Sequence, residues 1–440
     1  MSKYFGTDGI RGVANQALTV EMALKVGQYL GWVNKGQKIL VGQDTRLSGT
    51  MLSQALAAGA ASSGCDVYVL GVCATPCVSY LVEKEGFAGA VMISASHNPF
   101  QDNGLKCFAS DGTKISDALQ DEIEAYIDGL VTLDRADSES IGRIVEYSQG
   151  LSVYLEYVES IVTTPLHGLK VVLDNANGSA VSSSKQAFED LGAKVQLMHS
   201  SPDGININTN CGSTHPESLQ EEVVRLGFDV GFAFDGDADR CMAVDHEGNL
   251  VDGDGILYIL GQFLREKGLL HNDTIVSTVM ANLGFVKACE RLGFKLITTQ
   301  VGDKYVFASM DESHASLGGE QSGHIILKEL MRTGDGVLVA LLLAEVMVEK
   351  KASLQELLEG FESFPQILEN IRVKNKHEVM SAQGVLEAEE RIAETLGNDG
   401  RILVRASGTE ELVRVMVEAK TSELCRMHVN DMIEVIQTIE

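Results

Sequence analysis

The sequence predicts an α/β protein in which three related α/β domains with mixed sheets precede a smaller C-terminal α+β domain. Segments 38–71, 169–199 and 273–302 share one order: an apolar strand, a polar loop, a small-residue helix, a glycine and a second strand. This order is typical of βαβ units, whose two strands run parallel. The glycines expected at the helix C-termini are Gly64, Gly192 and Gly293. The chain after residue 366 mixes strand and helix signals and does not repeat the unit.

A further apolar run follows each unit and ends in a polar, glycine-rich loop. These loops are "SASHNP" (94–99), "DGDADR" (235–240) and "GGEQSGH" (318–324). Ligands of open α/β sheets bind outside the carboxyl ends of the strands, so the three loops are predicted to face one central cleft. Three unrelated α/β domains with glycine-rich turns are the alternative.

Polar segments and one proline mark the predicted domain boundaries. "LDRADSESIG" precedes the first boundary, "EGNLVDGDG" spans the second, and Pro365 breaks a helical pattern before the third. The predicted domains are 1–152, 153–252, 253–366 and 367–440.

Composition and charge limit the classes of function. The 440 residues are 45% hydrophobic and include only 6 prolines, which indicates ordered globular structure. No apolar run approaches the ~18–20 residues that span a bilayer, and the first residues lack the apolar core of a secretory signal, so we expect a cytoplasmic protein. A net charge of −27 argues against nucleic acid and anionic membranes as partners. The eight scattered cysteines are expected to be free thiols.

Three carboxylates, Asp235, Asp237 and Asp239, follow the apolar run "VGFAF" of the second domain. Clustered carboxylates repel one another unless a cation lies between them, and oxygen ligands suit a hard ion such as Mg²⁺. An EF-hand does not fit, because Arg240 stands where that loop needs glycine. A solvated acidic turn is the alternative.

Ser96 follows the strand-like run of the first domain, with His97 beside it and Lys106 further along. A loop serine is commonly a turn residue or helix cap. The nearby imidazole and ammonium groups and the predicted metal site favour a nucleophile or phosphate carrier instead. His97 fits a catalytic role and a loop residue bonded to the backbone equally well.

Three further stretches carry polar groups among small residues. The third-domain loop holds Glu320, Ser322 and His324, which suit hydrogen bonding to sugar hydroxyls but also suit a helix-initiating turn. The stretch "RILVRASGTEELVRV" offers guanidinium, hydroxyl and backbone N–H groups to a phosphate, with a surface turn as the alternative; its candidates are Arg405, Ser407, Gly408, Thr409 and Arg414. The opening "FGTDGIRG" sets Arg11 among glycines, either at a cleft or in a flexible leader.

Together, "FGTDGIRG", "SASHNP", "DGDADR", "GGEQSGH" and "RASGTEELVRV" make the chain resemble an α-D-phosphohexomutase over essentially its whole length. The resemblance implies four domains around one cleft. It also implies a phosphoserine at Ser96 and one Mg²⁺ per subunit, held by the three aspartates and the Ser96 phosphate.

The resemblance implies roles for the other candidates. Lys106, His324 and Arg11, with His97, would handle protons or stabilise charge. Glu320 and Ser322 would bind sugar hydroxyls, and Arg240 is assigned to substrate as well. The phosphate that does not react would be held by Arg405, Ser407, Gly408, Thr409 and Arg414.

The activity implied is interconversion of glucosamine 6-phosphate and glucosamine 1-phosphate, for amino-sugar nucleotide and cell-wall precursor synthesis. A sugar 1,6-bisphosphate would be the intermediate and activator, and a homodimer through the first domain is expected. Mannose or glucose phosphates of the same chemistry are the alternative substrates. A non-catalytic regulator that binds a sugar phosphate or a metal is a third hypothesis. Two departures from the family pattern are Glu411 in place of a proline and Lys304 in place of an arginine.

Overall fold

The structure is a computed structural model, and it describes residues 3–407 and 411–439. Within these residues the chain forms two compact units. The larger unit comes from Met1–Met280 and Lys295–Glu359, and the smaller from Ala281–Phe294 and Gly360–Glu440.

The first sheet and its helices use the chain up to Glu146. The elements are β1 (Phe5–Gly6), β2 (Gly9–Val13), α1 (Val20–Val33), β3 (Lys38–Gln43), α2 (Gly49–Ser62), β4 (Asp66–Val72), α3 (Thr75–Lys84), β5 (Gly89–Ile93), β6 (Asp102–Ala109), α4 (Asp117–Ile127) and β7 (Ile144–Glu146). The strand order is β1-β2-β6-β5-β3-β4-β7. β4, β3 and β5 run parallel and β6 runs antiparallel to β5, so the sheet is mixed.

The second sheet repeats this arrangement. Its elements are α5 (Gly150–Ile161), β8 (Lys170–Asp174), a 3₁₀ turn (Ser179–Ser182), α6 (Ser184–Asp190), β9 (Lys194–Met198), α7 (Glu217–Leu226), β10 (Val230–Phe234), β11 (Cys241–Asp245) and β12 (Leu250–Val251). The strand order is β12-β11-β10-β8-β9. The strands β9, β8 and β10 are parallel and β11 is antiparallel.

The third sheet has four strands in the order β14-β13-β15-β16. The elements of this part of the chain are α8 (Gly253–Glu266), a 3₁₀ turn (His271–Asp273), β13 (Thr274–Thr278), α9 (Leu283–Leu292), β14 (Lys295–Thr299), α10 (Asp303–Ser313), β15 (Leu317–Gly319), β16 (Ile325–Leu327), α11 (Gly336–Lys350) and α12 (Leu354–Leu357). Again three strands are parallel and the last is antiparallel.

The C-terminal sheet is antiparallel and small, with the order β17-β19-β18. Its elements are β17 (Gln366–Arg372), α13 (Lys376–Ser381), α14 (Gln383–Leu396), a 3₁₀ turn (Gly397–Asp399), β18 (Gly400–Ala406), β19 (Leu412–Ala419) and α15 (Ser422–Ile439). A core of its own includes Val415 and Val417 from β19 with Ile392 and Val429 from the helices.

The predicted repeat is confirmed strand for strand. The orders β4-β3-β5-β6, β9-β8-β10-β11 and β14-β13-β15-β16 are equivalent, and each predicted loop follows the third strand of its set. The three predicted glycines adopt positive φ values of 95°, 92° and 72°, at or next to the helix C-caps. The α/β class with a smaller C-terminal α+β part is therefore correct, while the domain boundaries stay predictions.

Small residues set the packing of α1 against α2. A Cβ on Gly27 would lie 2.1 Å from the carbonyl oxygen of Leu56, and one on Gly31 would lie 2.4 Å from that of Ala60. Both distances are shorter than any real Cβ contact, so the two helix backbones approach as closely as only glycine allows.

The described cysteines are all buried and free, as predicted. Among the described residues, no helix combines the length and apolar character needed to cross a membrane.

Candidate active site

Ser96 lies in the loop after β5, in a left-handed backbone conformation with φ of 52°. Its side chain is buried, and its Oγ donates a hydrogen bond to Asp235 Oδ2. The same Oγ lies 3.3 Å from His97 Nδ1. The Ser96 N–H donates to Ser94 Oγ at 2.9 Å. The structure therefore joins the predicted nucleophile of the first sheet to the acidic loop of the second.

The three predicted metal ligands are buried on the turn between β10 and β11. One carboxylate oxygen from each of Asp235, Asp237 and Asp239 lies within 4.8 Å of the others. Burial and the two neighbouring carboxylates raise the pKa of Asp235 well above its usual value. Among the described residues, Asp237 Oδ1 is buried without a hydrogen-bond donor. An acidic cluster with an unsatisfied oxygen fits a cation bound by oxygen ligands.

Lys106 is the ammonium group that faces this cluster. Its Nζ donates to Asp237 Oδ2 at 2.7 Å and to Asp239 Oδ2 at 3.1 Å, and it lies 3.0 Å from Asp8 Oδ2. Burial alone would lower the pKa of Lys106, but these carboxylates raise it well above the usual value. Lys106 is therefore a permanent cation at the acidic cluster.

Asp8 links three cations and was missed by the sequence reasoning. Its carboxylate pairs with Arg11 and Lys106 through Oδ2, and with Lys114 Nζ at 2.8 Å through Oδ1. Lys114 also donates to Asp303 Oδ2 at 2.6 Å. Burial opposes ionisation of Asp8, yet Lys106, Lys114 and Arg11 hold its pKa below the usual range. The network ties the N-terminal strands to α10 of the third domain.

His324 lies in the turn between β15 and β16 and points at the same acidic cluster. Its Nδ1 is 3.7 Å from Asp239 Oδ1, and its Nε2 is 4.0 Å from Asp303 Oδ2. The Gly334 N–H donates to Nε2 at 3.1 Å. Burial lowers the pKa of His324, but Asp239 outweighs burial and raises it.

The other candidates of the larger unit lie around this centre. Glu320 Oε1 accepts a hydrogen bond from the Gly302 N–H at 3.0 Å, next to the departure at Lys304. Ser322 is half-buried in the turn that also carries His324. Arg240 Nε lies 3.9 Å from Asp239 Oδ1.

His97 has a pKa well below that of an ordinary histidine. Burial first, and then the positive charges of Arg240 and Arg11, lower its pKa to about 4. The imidazole beside Ser96 Oγ is thus neutral near pH 7.

In the smaller unit, Arg405 and Arg414 are direct cross-strand partners on β18 and β19. Like charges in this position repel, and burial followed by Arg414 lowers the pKa of Arg405. Among the described residues, Arg414 Nε is buried without a hydrogen-bond acceptor. Two opposed guanidinium groups are a suitable pair for a phosphate dianion.

The predicted phosphate loop is only partly described. Ser407 is buried and its N–H donates to the Leu412 carbonyl at 2.9 Å, whereas Gly408 and Thr409 lie outside the described residues. The departure at Glu411 has a partner of its own, because its carboxylate lies 3.6 Å from Lys376 Nζ and accepts the Lys376 N–H.

A second group of metal-ligand types consists of Asp174, His199 and Cys211. Asp174 accepts backbone N–H groups from Ala176 and Gly212, each at 2.9 Å, and lies 3.0 Å from His199 Nδ1. We assign this carboxylate to the support of two loops of the second sheet.

Family models match nearly the whole chain. The models described as phosphoglucomutase/phosphomannomutase alpha/beta/alpha domains I, II and III match residues 2–132, 152–248 and 252–364, and the C-terminal domain model matches 368–434. The fold and the joined serine, aspartate and lysine groups define an enzyme of the phosphohexomutase class. The chain belongs to the phosphoglucomutase/phosphomannomutase family.

Curated relatives narrow the comparison further. A phosphoglucosamine mutase of Lachnoclostridium phytofermentans is 49% identical over 441 residues, which cover 99% of this chain and 98% of that protein. A phosphoglucosamine mutase of Streptococcus pneumoniae is 51% identical over 445 residues, 99% of each chain. The fold is shared with a phosphoglucomutase/phosphomannomutase family protein of Burkholderia thailandensis, at a TM-score of 0.82, 24% identity and coverage of 100% and 98%.

Proposed function

We propose that the protein is a phosphoglucosamine mutase that interconverts glucosamine 6-phosphate and glucosamine 1-phosphate. The observation that carries the chemistry is the hydrogen bond from Ser96 Oγ to Asp235, in a buried cluster that Lys106 only partly neutralises. The choice of an amino sugar rests on the full-length similarity to curated phosphoglucosamine mutases.

We propose Mg²⁺ as the cation at the acidic cluster. Asp235, Asp237 and Asp239 offer only oxygen ligands, and a phosphate on Ser96 would add one more. Such an ion, when bound, would neutralise charge on the phosphoryl group during transfer. The unsatisfied Asp237 Oδ1 supports this assignment.

The reaction consists of two phosphoryl transfers. First, the Oγ–phosphorus bond of phosphoserine 96 breaks, and a bond forms from phosphorus to the free hydroxyl oxygen of the sugar monophosphate. The products are serine and glucosamine 1,6-bisphosphate, and the hydroxyl proton leaves to a base of the site. The bisphosphate then turns end for end, and Ser96 accepts the other phosphate. A trace of bisphosphate would also phosphorylate Ser96 initially.

The residues of the site divide this work. Lys106 stays protonated and offsets charge on the transferred group, since it already donates to two carboxylates. We assign proton transfer to His324 and His97, with Arg11 as a further cation. Glu320, Ser322 and Arg240 are assigned to the sugar and its substituents.

We assign the phosphate that does not react to the smaller unit. The opposed guanidinium groups of Arg405 and Arg414, with Ser407, support this role, and Gly408 and Thr409 belong to it by family resemblance. A homodimer through the first domain and a cytoplasmic location also belong to the proposal, and the dimer is tested by light scattering.

The test is ³¹P NMR of the protein with Mg²⁺, a trace of sugar bisphosphate, and equal glucosamine, glucose and mannose 1-phosphates in one tube. We expect the glucosamine signal to move first to the 6-phosphate. Faster conversion of mannose or glucose phosphate would establish the second candidate, a phosphomannomutase/phosphoglucomutase. The description of the matching family models favours this candidate. Ser96→Ala should abolish conversion, whereas Ser138→Ala, in an exposed loop, should leave it unchanged. Full activity of Ser96→Ala would refute the phosphoserine mechanism.

A further inference from the structure

One buried guanidinium group, that of Arg46, holds the backbone of the Ser96 loop. Arg46 follows β3, and its side chain is fully buried. Its terminal nitrogens donate to four backbone carbonyl oxygens in and after the loop, those of Ser96 (2.8 Å), Asn98 (2.8 Å), Asp102 (3.0 Å) and Pro99. Its Nε donates to Asp44 Oδ2 at 2.8 Å, so all five N–H groups of the guanidinium have acceptors.

Asp44 links Arg46 to the amide of Ser96 through the side chain of Ser94. Its Oδ2 accepts the hydroxyl of Ser94 at 2.6 Å as well as the Nε of Arg46. Ser94 Oγ in turn accepts the Ser96 N–H at 2.9 Å. The amide and the carbonyl of Ser96 are thus both bound, directly or through Ser94, by a single buried ion pair.

Asn208, from the second sheet's side of the structure, binds the same carbonyls. Its Nδ2 donates to the Ser96 oxygen at 2.9 Å and to the Asn98 oxygen at 3.0 Å. The backbone of the acidic loop also packs directly against this carbonyl, since a Cβ on Gly236 would lie 2.4 Å from the Ser96 oxygen. Asn208 therefore fixes the serine loop against the loop that carries the three aspartates.

The conformation that these contacts hold is unfavourable for a serine. A left-handed backbone costs a non-glycine residue roughly 1–2 kcal/mol and persists only when its surroundings impose it. At φ of 52° the Ser96 side chain faces Asp235. A relaxed loop would lose this direction.

We propose that Asp44, Arg46 and Asn208 are positioning residues that hold Ser96 in its left-handed conformation, so that its Oγ, and the phosphate it carries, faces the acidic cluster. The three act through the backbone of the loop, since the contacts of Ser96 Oγ are with Asp235 and His97. The catalytic part of the proposal rests on the proposed phosphoserine mechanism, and the conformational part does not.

The test compares Arg46→Lys and Asn208→Asp with wild type. Lysine keeps the charge beside Asp44 but has three donors and cannot span four carbonyls. Aspartate keeps the size of Asn208 and tolerates its left-handed φ of 58°, but it turns a carboxylate toward two carbonyl oxygens. Arg225→Lys, at an exposed arginine paired with Glu222, is the control.

Hydrogen exchange of the peptide covering 94–104 is the readout that needs no activity. We expect faster exchange in this peptide for both variants, with unchanged exchange in β8 and β13, and no change for the control. Unchanged exchange in both variants would overturn the proposal, whatever the activity of the wild type.

Steady-state kinetics test the catalytic part. We expect kcat to fall by about 10²-fold in Arg46→Lys, with KM within about threefold of wild type, because displacement of a reacting atom by about 1 Å costs this much. If Arg46→Lys unfolds, Arg46→Ala with added guanidinium replaces it, and partial recovery of kcat by guanidinium but not by ammonium is expected. A variant with faster exchange and a wild-type kcat would overturn the positioning role. A wild type without mutase activity would instead refute the proposed function, and with it the catalytic part of this proposal.

Discussion

Lys106 is a single buried charge on which both the stability and the activity of the site are expected to depend. Its ammonium lies within 3.1 Å of oxygens from Asp237, Asp239 and Asp8. Leaving a buried charge without its partner costs far more than breaking an exposed ion pair, so replacing this lysine is expected to lower both stability and activity.

For Lys106→Met we expect a loss of about 3–5 kcal/mol in the free energy of unfolding without divalent cation, since the buried acidic cluster loses the ammonium group that faces it. Mg²⁺ should restore stability to the variant more than it stabilises the wild type, while turnover stays at least about 100-fold reduced. Thermal unfolding with and without MgCl₂ measures the first effect, and the mutase assay the second. Lys267→Met, which breaks an exposed pair with Glu349, is the control. Equal Mg²⁺ effects in variant and wild type would contradict the expected link to the cation.

Asp335 provides a pH effect that does not depend on the three clustered aspartates. Its carboxylate caps α11 through the Leu338 N–H and accepts the Tyr154 hydroxyl at 2.8 Å. Burial raises its pKa from 3.8 to about 6. The folded protein therefore binds a proton that the unfolded chain has released, and this contribution is complete below about pH 4 and lost as pH rises through about 6.

We expect the wild type to lose about 1 kcal/mol of unfolding free energy between pH 5 and pH 7 relative to Asp335→Asn, which has no carboxylate to ionise. Urea unfolding followed by circular dichroism at several pH values gives the difference. Parallel pH profiles of the two proteins would show that Asp335 does not titrate in this window.

Several of the residues named from the sequence follow a buried strand, because an apolar run that ends in polar groups can be recognised from the sequence alone. Ser96, Asp235 and His324 are of this kind. Asp8 and Arg46 were missed because the partners that give them a role are distant in the sequence: Asp8 pairs with Lys106 and Lys114, and Arg46 binds the Ser96 carbonyl 50 positions away. No spacing rule connects them, and only the packed sheets bring them together.

At the scale of elements, the close contact between α1 and α2 requires glycine, which has no Cβ, at positions 27 and 31. The distances at Gly27 and Gly31 leave no room for a methyl group beside a carbonyl. Since both residues lie inside a helix, where glycine is unfavourable, the close approach must outweigh that cost.

Gly27→Ala is expected to reduce the free energy of unfolding by about 2 kcal/mol, because the helices must separate to admit the new methyl group. Gly384→Ala in α14 is the matched control, since its Cβ would meet side-chain atoms only at 3.8 Å and 3.9 Å. That variant should be neutral or up to about 1 kcal/mol more stable. Chemical denaturation of both variants decides, and a stabilised Gly27→Ala would contradict the packing argument.

The repeated units were predictable at this scale because apolar strands, helix-ending glycines and polar loops recur in the same order. The pairing of Arg405 with Arg414 could not be predicted, because turn type sets the register of β18 and β19, and the sequence does not specify the turn type. The sequence named both arginines as candidate phosphate ligands from their guanidinium groups on either side of a small-residue turn, and the family resemblance implied the same role.

Across the whole molecule, the net charge of −27 opposes the compact state through self-repulsion. We expect the melting temperature to rise as NaCl increases from about 0.01 M to about 0.15 M, over which the screening length falls from roughly 30 Å to roughly 8 Å. MgCl₂ at equal ionic strength should stabilise further and saturate, because it also binds a site. The further increment should disappear in Asp237→Asn. A melting temperature independent of NaCl would show that the charges are too well dispersed to matter.

The equivalence of the three sheets has a consequence for how such a molecule can diversify. Each of the three converging loops leaves the same strand position of its own sheet, and the sheets bury their own cores. A loop can therefore be exchanged or lengthened while its scaffold, and the other two loops, stay as they are. The serine loop and the acidic loop can thus be retained while the third loop varies. Modular inheritance of this kind makes a new specificity accessible through few mutations.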